Sequence, residues 1–200
     1  MDNRDSQKAI TSVGGLILRL SQSIATKGCD EMQEKFFLEP NLNLLVFENL
    51  AYLGAMSLRQ LEVAGILEFH SELRFNYGIL RSSVGESGIE TPELLLYSML
   101  FNDTNFSNLL AVYYEGDLNS SGYSQQDLQD FSSFYGLEIP QSPGPNASFY
   151  VLIMRSFQIC RIRDIEKTAV IQMAAALFLD TLNSGISSFG EEMKRLNILK

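Results

Sequence analysis

The sequence has no tryptophan, one histidine (His70) and two cysteines (Cys29 and Cys160). A lone histidine excludes any chemistry that needs a pair of them. Two cysteines without a C-x-x-C spacing make no disulfide framework, so a reduced, cytoplasmic setting is expected. No apolar run approaches the ~18 to 20 residues that cross a bilayer, and the acidic, interrupted N-terminus lacks the form of a signal peptide. Neither a membrane nor an export route is expected on that reading. G-x-S-x-G, P-loop, G-x-G-x-x-G and H-E-x-x-H patterns are missing, which removes the usual signatures of hydrolases, nucleotide binders and zinc proteases. No cofactor is expected.

The most informative absence is of positive charge. From Ser82 to Met154 there is no Lys, Arg or His, while nine acids lie between Glu86 and Glu138. These nine account for the whole formal charge of −9, because the 15 acids elsewhere match the 15 bases. Summed charge of one sign repels nucleic acid and attracts basic partners.

What is present is a globular composition. With 46% hydrophobic residues in 200, the chain can bury a sizeable core. The pattern predicts an all-α fold: a single domain over 1–200 of seven to nine short-to-medium helices around a central apolar helix, with an extended Pro-rich connection at 138–146. The alternative is α+β, with strands near 67–80 and 149–162, where apolar residues alternate or branched and aromatic residues cluster.

Helix boundaries follow from local chemistry. A first helix is predicted over 5–26 on Ile10, Val13, Ile17, Leu20 and Ile24, stopped by Lys27 and Gly28, with Asp30 opening a short second one before Pro40. A buried helix over 41–56 is followed by a capping box, Ser57 with Gln60, that begins another. Thr91-Pro92-Glu93 starts a helix to about Phe101, and "LLAVYYEG" forms the next. Ser124 caps 125–135, with Asp127 in the first turn and Gly136 as the stop. Asn146 precedes a long apolar segment. Asp164 then opens a helix apolar on almost every face, ended by Gly185, and Ser188 with Glu191 caps a terminal helix.

Three sets of residues carry candidate chemistry. The stretch "DLNSSGY" places Asp117, Asn119, Ser121, Gly122 and Tyr123 at positions one, three, five, six and seven of a twelve-residue loop. Over these seven residues it resembles the opening half of an EF-hand loop, and Asp127 falls one residue before the closing position, which is Leu128. The resemblance implies at most a weak calcium site from Asp117, Asn119, Ser121 and Asp127. Second, His70 lies between Glu68 and Glu72; on a strand the three share a face, the basis for an alternative reading as an enzyme or small-ligand protein with a pocket near His70. Third, Tyr113, Tyr114, Glu115, Asp117, Asp127 and Asp130 combine rings with carboxylates and no nearby base. Rings anchor and acids steer, so the expected function is a non-enzymatic interaction or regulatory module whose 82–154 surface binds a basic partner protein.

Overall fold

The computed structural model describes residues 3–63, 104–116, 118–140 and 146–197. These are helical, with no strand among them: α1 (Asn3–Phe36), α2 (Leu42–Val63), α3 (Thr104–Glu115), α4 (Gln125–Tyr135), α5 (Ala147–Ile159), a 3-10 turn (Ile162–Asp164) and α6 (Thr168–Arg195). The all-α expectation holds for these residues, and the strand alternative at 149–162 is replaced by α5 and the turn. The other strand alternative, the helix opened by Thr91 and the residues around His70 lie outside the described residues.

Among the described residues, α1, α2 and α6 run on past stops that their local signals suggest. α1 runs through Gly28, and α6 runs through Gly185. At both points a Cβ would collide with the other helix: at Gly28 it would lie 2.5 Å from Phe178 Cε2, and at Gly185 it would overlap the Ile24 side chain. The two glycines are therefore contact points where α1 and α6 approach closely. Ser57 and Ser188 do not cap new helices either. Each sits inside a helix and donates its hydroxyl to the carbonyl four residues back, Leu53 at 2.8 Å and Ser184 at 2.9 Å.

α2 occupies the middle. It packs against α1, α3 and α5, and buries Leu45, Glu48–Ala55, Ser57, Leu58 and Leu61, residues that cover most of its circumference. The expected central helix, 165–182, instead presents one face: Ile171, Ala174, Ala175, Phe178 and Leu182 are buried while Met173 is 65% exposed. α6 is long and apolar enough, by length and composition alone, to cross a bilayer, and it packs here along α1. The buried apolar side chains form one cluster, with Phe106, Tyr113, Leu128, Leu152, Phe157 and Phe178 among its fully enclosed members.

α4 matches its sequence signals. Ser124 Oγ accepts from the Asp127 amide, the Asp127 carboxylate accepts from the Ser124 amide at 2.8 Å, and Gly136 closes the helix in the left-handed region at φ 65°. This reciprocal pair satisfies two of the N–H groups that a helix start leaves open.

Candidate functional site

Two adjoining depressions flank α5. The first is a cleft of about 560 Å³ between α4, α5 and the 3-10 turn. Its floor is aromatic: Phe131, Tyr135 and Phe157 contact one another with ring centroids 4.5 to 5.2 Å apart. Asp127 and Asp130, both exposed, stand on the α4 wall. Across from them Arg161 pairs with Asp164 at 2.7 Å, and Arg163 lies 5.2 Å over the Phe134 ring. Arg161 adopts φ 56°, a left-handed conformation uncommon for a residue with a Cβ, which turns the chain sharply out of α5 along this wall.

The second is a cavity of about 540 Å³ between α2, α3 and α5. Leu44, Phe47, Leu109, Val112 and Ile159 make its apolar wall. At its base lies Glu48, 4% exposed, the one charged side chain that α2 buries. Glu48 Oε1 accepts the Tyr113 hydroxyl from α3 and pairs with Arg155 Nε from α5 at 2.6 Å, although the N–H is not aligned on the oxygen as a hydrogen bond. Burial holds the Glu48 carboxyl above its ordinary value, against the opposing pull of Tyr113 and Arg155. Tyr113, wholly buried beside that carboxylate, is pushed well above the usual phenol range, first by desolvation and then by Glu48. The two depressions share Tyr123 and Gln158, whose side chains are joined by a 3.2 Å hydrogen bond.

Several residues chosen from sequence have other employment. Tyr113 is 1% exposed and offers no surface to a partner. Tyr114 donates to Glu62 Oε2 at 2.6 Å, and its ring lies under Arg59, 5.6 Å away; the same guanidinium donates to the Tyr114 carbonyl near the end of α3. Glu115 is exposed, as are Asp127 and Asp130, with Asp130 accepting from Gln126 at 2.8 Å. Asp117 lies outside the described residues.

The stretch resembling an EF-hand is organised as a local turn. Ser121 donates its hydroxyl to the Leu118 carbonyl at 2.5 Å, and the amides of Ser121 and Tyr123 reach the same oxygen. Asp127 is spent on the α4 cap, whose hydrogen bonds from Ser124 lower its carboxyl below the ordinary value. Leu128, where a bidentate acid is required, is fully buried. Among the described residues no group of three or more His, Cys, Asp or Glu is placed to hold a metal. Both cysteines are buried and free, and Cys29 lies inside α1, not at a helix start; burial raises both thiols.

The Glu48–Tyr113–Arg155 cluster was not anticipated. Its signal is present, since Glu48 is the only charged residue from Asn41 to Leu58, and a carboxylate in such a segment needs partners supplied by other helices. No protein-family model, curated protein or solved structure matches this chain.

Proposed function

We propose that the chain is a non-enzymatic interaction module that receives a basic, apolar-anchored segment of a partner protein in the cleft between α4 and α5. The observation that carries this reading is the pairing of an aromatic floor with an acidic wall. Phe131 and the partly exposed Phe134 give an apolar anchor somewhere to sit, while Asp130 meets a Lys or Arg beside it and the capping Asp127 adds its charge to the field. The arginines on the opposite wall oppose a cation less than their number suggests, because Arg161 is paired with Asp164, and the cleft's three carboxylates outnumber its two guanidiniums. Beyond the cleft, Glu115 and Glu138 extend the negative field along a segment without a base, which speeds encounter with a positive partner.

The chain is read as one helical domain, since all six described helices contribute to the same buried cluster. Further helices expected in the 64–103 region would bring the total to the seven to nine anticipated. The pocket near His70 lies outside the described residues and adds nothing to the choice of function.

The test is charge reversal at exposed positions. Asp130→Lys, Glu115→Lys and Glu138→Lys spare the α4 cap, which Asp127 would not. In fluorescence anisotropy with a labelled amphipathic Lys/Leu peptide, the triple variant should bind at least about tenfold more weakly at low salt, and the difference should shrink as salt rises. Equal binding by both proteins would remove the proposal.

A further inference from the structure

The cavity between α2, α3 and α5 has a floor that the folded chain leaves half used. Of the Glu48 carboxylate, Oε1 takes both the Tyr113 hydroxyl and Arg155, while Oε2 accepts no hydrogen bond among the described residues. Of the Arg155 guanidinium, Nε makes the 2.6 Å approach to Glu48; the side chain is 34% exposed and its two Nη groups make no hydrogen bond among the described residues. Glu48 and Arg155, with an acceptor and a pair of donors unused, both line a cavity of about 540 Å³, a size ordinary for small-molecule sites.

Holding a carboxylate at 4% exposure in an apolar helix is costly, and packing alone is better served by a hydrocarbon of similar volume. The geometry points to a binding site for a free α-amino acid with an apolar side chain. Its ammonium is received by Glu48 Oε2 and its carboxylate by the Arg155 Nη groups, while the side chain lies against Phe47, Leu109 and Val112. The charge balance selects the zwitterion. A lone anion meets Arg155 but adds a second negative charge beside Glu48, and a lone cation does the reverse beside Arg155. A ligand carrying both charges on one carbon completes both partners and leaves the desolvated site neutral. Asn108, exposed at the mouth, and Gln158, tied to Tyr123, frame the entrance.

Calorimetric titration of the full chain with L-phenylalanine, L-leucine, 3-phenylpropanoate and phenethylamine tests this without any mutation. Saturable heat is expected with the two amino acids, and binding at least about tenfold weaker for each single-charge analogue, the scale of one lost hydrogen-bonded charge. Equal affinity for 3-phenylpropanoate would make this an anion site, equal affinity for phenethylamine a cation site, and absence of heat from all four no site; each overturns the inference. Asn108→Trp, at an exposed helix position on the rim, should abolish the heat while leaving the thermal transition in place. Binding retained in that folded variant would put the amino acid elsewhere and overturn the assignment to this cavity.

Discussion

The close approach of α1 and α6 is tested by two substitutions on one helix. Gly185 and Gly190 both lie inside α6, so alanine at either removes the same conformational cost, about 1 kcal/mol in favour of the helix. They differ in what the new methyl meets. At Gly190 there is nothing within 4 Å, whereas at Gly185 the Cβ would sit closer than 3.0 Å to Ile24 Cγ1 and Cδ1. Ile24 is branched at Cβ and 3% exposed, so its χ1 is restricted and any retreat must be accommodated by the core around it. Overpacking of this kind costs roughly 1–3 kcal/mol. Gly190→Ala should therefore gain up to about 1 kcal/mol, and Gly185→Ala should range from neutral to a loss of about 2 kcal/mol. In a chain of this size each kcal/mol moves Tm by roughly 2–4 °C, well within the reach of differential scanning calorimetry. If Gly185→Ala raised Tm as much as Gly190→Ala does, the claimed helix contact would be refuted.

Ser124→Ala removes the hydroxyl that opens α4 and should cost about 1 kcal/mol in chemical denaturation, the usual worth of such a cap; no loss would deny the cap its role. The same cap has a pH signature. Asp127 is held below its ordinary value by Ser124, so its contribution is present above that ordinary value and lost as pH falls through the lowered one; Asp127→Asn should abolish that loss. Glu48 behaves oppositely. Its folded-state value lies above the usual 4.5, so the carboxyl holds its proton more tightly folded than unfolded, and stability falls as pH rises from there through the raised value. Denaturant titrations should show wild type losing stability relative to Glu48→Gln over that window, with Tyr113 and Arg155 as the groups facing the carboxyl. A difference between the two proteins that stays constant with pH would contradict the buried, raised carboxyl.

What was legible in the sequence was what depends on near neighbours. The α4 boundaries follow from Ser124, Asp127 and Gly136, residues that satisfy the backbone of the helix they delimit. A helix stop is not legible where a residue's reason lies on another helix. Gly28 and Gly185 carry the composition of a helix end but exist to admit Phe178 and Ile24. Ser57 with Gln60 and Ser188 with Glu191 have the spacing of a capping box, yet a serine inside a helix is equally content with the carbonyl one turn back. Acids surround Tyr113 in sequence, which suggests an exposed surface. Its acid in space is Glu48, on a different helix, and Arg155, just past the base-free segment, completes the group. The cleft was half visible: Asp127 and Asp130 were chosen, but the floor of Phe131, Tyr135 and Phe157 forms only when α4 lies on α5.

We propose that a basic partner docks in the acidic, aromatic-floored cleft between α4 and α5. Backbone amide chemical-shift mapping of the labelled protein, titrated with an amphipathic Lys/Leu peptide, measures this directly. Saturable shifts are expected, concentrated at residues 123–135 and 154–164 and weakened by Asp130→Lys and by salt. Shifts centred on the α1–α6 face, or none at all, would contradict it.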